Sequence, residues 1–220
     1  MSKTINYSNV LRVCFSGAMC LGIAVMLGCS SGVKRSDKAV SSAEALKREC
    51  TNLQGQIDKT IQSLDGVVAA KNADLSTAYK NYVSEMKTLK SQTKKVVSHS
   101  QKLKNSSQAY LDAWEKSMQD VQNATLREQA AQRRAQAAAR FEDTKDEFDR
   151  IQADYDLFAK DLKDIEMALD HDLNPAGVTS IEPVINQAKI DSKPLKKDLD
   201  TIIAAIDKIT AALSRTPASV

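Results

Sequence analysis

The sequence predicts an all-α fold: an elongated antiparallel bundle of four long helices with coiled-coil-like heptad seams. Three observations predict it. First, the 108 residues between Gly66 and Pro175 contain neither glycine nor proline. An all-β fold needs turn residues roughly every 8–12 positions, and an α/β fold needs loops between alternating elements, so both are excluded. Second, apolar residues recur at alternating steps of three and four along most of the chain. Third, residues 80–104 hold seven lysines and one glutamate, whereas residues 143–167 hold nine acids and four bases. A fold at about residue 124 sets these segments side by side, whereas an in-register parallel dimer would stack like charge on like.

Residues 1–28 read as an address. Lys3 and Arg12 precede an uncharged apolar run over residues 13–28, which ends at Met26-Leu27-Gly28-Cys29. This is the layout of a bacterial secretory signal, and its last four residues resemble the lipobox of bacterial lipoproteins. The resemblance implies cleavage before Cys29 and a lipid on its thiol. Met26 stands where leucine is usual. A rival box at Cys20 would put Gly17 in the large apolar slot and is rejected. The alternative is an uncleaved anchor, but a membrane span wants roughly 20 apolar residues and this run is shorter. Ser30 after the cysteine, by resemblance to lipoprotein sorting signals, points to the outer membrane, so the expected location is the cell envelope, facing the periplasm. Loss of residues 1–28 leaves 29 basic against 28 acidic residues. So neutral a chain is no candidate for nucleic-acid binding.

Residues 29–40 read as the lipidated cysteine and a short polar tether, residues 41–213 as the bundle and residues 214–220 as a frayed tail. Ser41 and Glu44 form a capping box, so the first helix is expected from about 42 to 70 through Leu46, Cys50, Leu53, Ile57, Ile61, Leu64 and Val68. Cys50 fits this core spacing and reads as a small buried hydrophobe; pairing between chains is the alternative. Asn72 or Asp74 caps the second helix. Its seam runs Leu75, Tyr79, Tyr82, Met86, Leu89, Thr93, Val96, Ser100, Leu103, Ser107, Tyr110, Trp114, Ser117 and Val121, all apolar or hydroxyl-bearing. The small polar positions imply either close helix approach or a locally weak seam. Thr125 and Glu128 offer a second capping box. The third helix carries Phe141, Thr144, Phe148, Ile151, Tyr155, Phe158, Leu162, Ile165 and Leu169 after an Ala- and Arg-rich start. Asn174 and Pro175 open the fourth, with Thr179 and Glu182 as a rival start. Its seam runs from Val178 to Leu213, with a kink or break expected near Pro194.

Residues 114–127 and 169–181 resemble a bacterial family of helical envelope lipoproteins catalogued only as a domain of unknown function. The matching features are Trp114-Glu115, Asn123-Ala124-Thr125-Leu126-Arg127, His171 and Leu173-Asn174. The chain departs from it at Pro175, Pro183 and Pro194, where the family is expected to run as unbroken helix. The resemblance implies a helical lipoprotein and brings no activity, substrate or catalytic residue.

No catalytic, cofactor-binding or metal-ligating set is found. A di-metal bundle needs Glu-x-x-His pairs, and neither His99 nor His171 has glutamate three residues before it. His171 reads as a helix C-terminal cation and His99 as solvated. Phosphate loops, nucleophile elbows and Cys-x-x-Cys pairs are missing. Lys80, Lys87 and Lys94 form an outer stripe that suits solvent or an anionic lipid. Tyr110 and Trp114 read as core, with a partner anchor near the hairpin tip as the alternative for Trp114. The expected protein is a lipid-anchored, non-enzymatic scaffold, spacer or docking module that meets the membrane through Cys29 and an unidentified protein partner. The competing expectations are an envelope hydrolase or metal-dependent enzyme with an inter-helix site, and a small-ligand carrier with a cavity near the Ser and Thr seam positions.

Overall fold

A computed structural model describes residues 29–213; the predicted signal (1–28) and tail (214–220) lie outside the described residues. The chain forms four helices: α1 (Cys29–Ala69), α2 (Leu75–Gln119), α3 (Ala124–His171) and α4 (Pro175–Leu213). Each helix packs on its sequence neighbours, and α1 also packs on α4, so the four close into a ring around one core. This is the expected antiparallel bundle. At 1.5 Å per residue α2 and α3 are each roughly 70 Å long.

The core follows the heptads. Leu75, Tyr82, Leu89, Val96 and Leu103 recur every seventh residue and are buried. Ten seam residues of α4, from Val178 to Ile209, are buried as well. In α1 Thr60 and Val67 are buried where Ile61 and Val68 were expected, and the latter two pack half-buried at the edge of the seam. The buried run Leu46, Cys50, Leu53, Ile57, Thr60, Leu64 and Val67 alternates steps of four and three without a break, the 3.5-residue repeat of a coiled coil, whereas the expected run took two steps of four in succession at Ile57 and Ile61 and left that stripe.

Three element boundaries differ from expectation. Helix α1 begins at Cys29, so residues 30–40 are helix rather than tether, and Ser41 lies inside it. Ala39 and Ala43 are fully buried, and Arg35 donates to the Ala109 carbonyl at 3.2 Å. Tertiary contact carries the helix past a local start signal. At α3 the cap is Asn123, whose side chain accepts from the Leu126 amide at 3.0 Å, and not Thr125. Helix α4 runs unbroken through Pro183 and Pro194. Both prolines are exposed, as are Thr179 and Ile190, whose carbonyls lose their amide partners. Water can serve those carbonyls on the outer face, so no break is forced.

Two caps fall where expected. Asp74 accepts from the Thr77 amide at 3.0 Å, which holds its carboxyl below the usual range. Asn174 accepts from the Ala176 and Gly177 amides, both at 2.9 Å. A Cβ on Gly177 would strike the Asp172 carbonyl, so the α3/α4 turn closes tightly only because residue 177 is glycine.

Candidate functional site

The positions of the helices along the rod are fixed by polar rungs that the heptads do not reveal. Between α1 and α2, Gln56 donates to the Glu85 carboxylate (2.6 Å) and carbonyl (3.2 Å). Gln92 donates in the same way to the Glu49 carboxylate (2.7 Å) and carbonyl (3.1 Å). The bond from Gln92 holds the Glu49 carboxyl below its ordinary range, with His99 and Lys95 adding to it. His99 is therefore half-buried beside Glu49 rather than solvated. Between α1 and α4, Lys47 meets Asp207 and Lys196 meets Asp58, both at 2.6 Å. Lys189 meets Asp65, and Lys71, in the turn after α1, meets Glu182 at 3.1 Å.

The α3/α4 flank is built differently. Asp154 lies near Asp198 and Asp191, and Asp161 near Asp191. Burial first, and then these facing acids, push the Asp154 and Asp161 carboxyls above the usual range. Helix α4 thus meets one neighbour with complementary charge and the other with like charge.

The hairpin of α2 and α3 is closed at one end and open at the other. At the closed end Tyr82 is fully buried, and its hydroxyl donates to the Leu162 carbonyl at 2.5 Å. Further along, the helices part around a cleft of about 370 Å³ lined by Leu103, Ser107, Leu111, Phe141, Thr144 and Phe148 among others. The small seam residues are thus a locally weak seam, not a close approach. Phe141 and Phe148 are half-buried. Ser107 and Thr144 donate to carbonyls of their own helices, at 2.7 and 2.9 Å. Their protons are spent locally, and the cleft floor is mainly apolar.

Past the cleft stands a two-helix tip. Among the described residues, none from Asp112 to Gln136 is buried. The last turn of α4, at Leu213, reaches only as far as Ser36, which donates to the Leu213 carbonyl at 3.4 Å. Tyr110 and Trp114 are half-buried here rather than in the core. Their ring centroids are 5.6 Å apart, and Arg133 lies over the Trp114 ring at 5.9 Å. At this turn Arg134 meets Glu115 at 2.7 Å and also donates to the Leu111 carbonyl. Gly32, Val33 and Ser36 of α1 line a shallow groove together with Tyr110, Ala113, Trp114 and Ser117 of α2. Cys29, about one turn earlier, is therefore level with the last turn of α2.

Among the remaining candidates, Cys50 is fully buried, and burial pushes its thiol up to about 12. It is a packing residue. His171 is exposed in the last turn of α3, and Lys80, Lys87 and Lys94 are exposed on α2. Among the described residues no three His, Cys, Asp or Glu side chains gather as a metal site. The buried Glu147 is paired with Arg150. Among the same residues no helix is long and apolar enough to cross a membrane.

A family model described as "Protein of unknown function (DUF2959)" matches residues 28–213, nearly the whole chain, and the protein belongs to that family. No curated protein and no solved structure matches it.

Proposed function

We propose that this DUF2959 protein is a lipid-anchored, non-enzymatic helical spacer or docking scaffold of the bacterial envelope. The observation that carries the reading is a rod of four helices with an apolar leader and Cys29 at one end. Its seam is continuous from Leu75 to Leu103, and along α4 from Val178 to Ile209. Such a rod holds its far end, with the α1/α2 and α3/α4 turns, at a fixed height above a membrane. That end is where a protein partner would dock. The continuous seam supports this reading over an inter-helix enzyme site.

The test is Cys29→Ala in cells. The expected outcome is an uncut, membrane-retained precursor or a soluble product, with the helical content unchanged by circular dichroism. A variant that fractionates and migrates like the parent would overturn the lipid anchor.

The cleft between α2 and α3 favours a second reading, a carrier of a small apolar ligand. Its volume suits a ligand of modest size, and its hydroxyls are already bonded within their helices. Native mass spectrometry of protein isolated from its own host would detect such a ligand. Loss of the ligand in Ala138→Trp, which fills the cleft, would assign it there.

A further inference from the structure

We infer that anchored copies of this chain associate side by side, the lysine face of α2 on one copy lying against the acidic α3/α4 flank of the next. The shared orientation of the copies rests on the anchored reading above; the occupant and the two surfaces that meet are added to it.

The first surface is α2 over residues 80–104. All seven of its lysines are exposed, and among the described residues none of them forms an ion pair. The one acid of this stretch, Glu85, accepts from Gln56. Glu49, which lies near Lys95, accepts from Gln92. The second surface is the α3/α4 flank. The four bases of residues 143–167 are spent within α3, on Glu142, Glu147, Asp164 and Glu166. That leaves Asp154 and Asp161, two turns apart on one face, with Asp191 and Asp198 of α4 beside them. Lys189 and Lys196 of α4 give no relief, because Asp65 and Asp58 draw them to α1. Leu157 lies three residues from one of these aspartates and four from the other, and it is 62% exposed. The aliphatic stem of a lysine is suited to cover it.

One chain cannot join its own two surfaces, since α2 and α4 stand at opposite corners of the ring and do not touch. Two chains can, and their heights agree. The bond from Tyr82 to Leu162 levels the antiparallel helices, so Lys87 and Lys90 stand at the height of Leu157 and Asp154. Copies anchored at Cys29 in one membrane share a direction and a height, which sets the lysine band of one rod level with the acidic band of its neighbour. Each exposed pair contributes little. Several act together here, and confinement to a surface raises the effective concentration. Two different faces meet, so the contact is heterologous and growth does not stop at a dimer.

The test uses full-length protein, unlabelled and isotope-labelled copies mixed, in phosphatidylcholine vesicles, whose headgroups carry no net charge. Flotation reports the anchor. A zero-length carbodiimide then joins lysine amines to carboxylates in contact. The expected result is a ladder beyond dimer, with mixed-isotope peptides that join lysines of residues 80–104 to Asp154 or Asp161. The yield should fall several-fold at about 1 M salt, where charges are screened over about 3 Å. Lys87→Glu/Lys90→Glu/Lys94→Glu and Asp154→Lys/Asp161→Lys should each lose the ladder, and mixing the two should restore it, because each supplies the face that the other lacks. Asp154→Asn/Asp161→Asn separates association from folding: it should raise the unfolding midpoint and yet lower the crosslinked yield.

Protein that fails to float overturns the anchored reading and the inference with it. Protein that floats without mixed-isotope crosslinks overturns the inference alone. So does a product that stops at dimer, a ladder indifferent to salt, an undiminished yield from the asparagine variant, or a mixture of the two reversed variants that stays unlinked while both keep their helical content.

Discussion

Phe158 and Phe148 lie roughly three turns apart on one seam of α3, yet one is sealed in the core and the other lines an open cleft. Phe158 belongs to a core cluster to which all four helices contribute, with large buried side chains such as Tyr82, Leu162 and Leu195. Phe148 instead lines the cleft together with Ser100, Leu103 and Ser107 of α2, and the two serines are too small to fill it. The heptad states which face of a helix turns inward. It does not state how much opposite mass there is to meet it.

The largest expected effect tests that contrast directly. Phe158→Ala should cost about 3–5 kcal/mol, the range for removing a fully buried aromatic side chain. Phe148→Ala, already facing an open cleft, should cost no more than about half of that. Urea unfolding of the two variants measures both. Equal losses would mean that the cleft is closed in solution.

Two glycines differ in the same sense. Gly177→Ala at the closed α3/α4 turn forces a methyl group against the Asp172 carbonyl and should cost about 1–3 kcal/mol through overpacking. Gly55 lies within α1 with open space around it, so Gly55→Ala should instead stabilise by up to about 1 kcal/mol. Thermal unfolding followed by circular dichroism should shift the midpoint in opposite directions.

The flanks of α4 give a prediction in pH. Burial and the facing Asp191 raise the Asp161 carboxyl above its ordinary range, so the folded protein binds that proton more tightly than the unfolded chain does. Ionised Asp161 therefore opposes folding at neutral pH. That opposition disappears as pH falls through the raised range towards the ordinary value near 4. Asp161→Asn should raise the unfolding midpoint at pH 7, with the gain shrinking as the buffer is taken down to about pH 4. A gain that grows on acidification would reverse the assignment.

The smallest effects belong to single exposed charges. Arg134→Ala removes the cross-hairpin pair with Glu115 at the open end and should cost up to about 1 kcal/mol, less in high salt. A much larger loss would show the tip to be held more firmly than its exposure suggests. Lys87→Ala should change stability by no more than about 0.5 kcal/mol.

The charge pattern named the right fold partner for the wrong reason. The lysines of residues 80–104 and the acids of residues 143–167 do lie on adjacent antiparallel helices, as Tyr82 on Leu162 requires. Yet the lysines of α3 pair within their own helix, as Lys145 does with Glu142 and Lys163 with Glu166. The ladder of lysine–carboxylate pairs between helices joins α1 to α4 instead. Complementary net charge acts over many ångströms and can select an arrangement, but an ion pair needs two side-chain ends to meet. The glutamine rungs Gln56–Glu85 and Gln92–Glu49 were illegible for a related reason: a glutamine beside a seam looks solvated until its partner helix is placed.

What the sequence by itself determined is local or periodic. Long helix broken only by three short turns in the stretch from Gly66 to Pro175, the seam faces of α2 and α4, the caps at Asp74 and Asn174, and the burial of Cys50 each follow from a residue and its neighbours within a few turns. The tertiary structure decided what depends on the distance and length of a second helix. It extended α1 back to Cys29 because α2 is there to pack against. It left α4 unbroken because the carbonyls bereaved by its prolines face water. It opened a cleft at the small seam residues, and it left Trp114 and Leu126 at an exposed tip beyond the reach of the last described turn of α4. A heptad repeats along one chain, but burial is a property of two surfaces, and only the fold brings the second surface to the first.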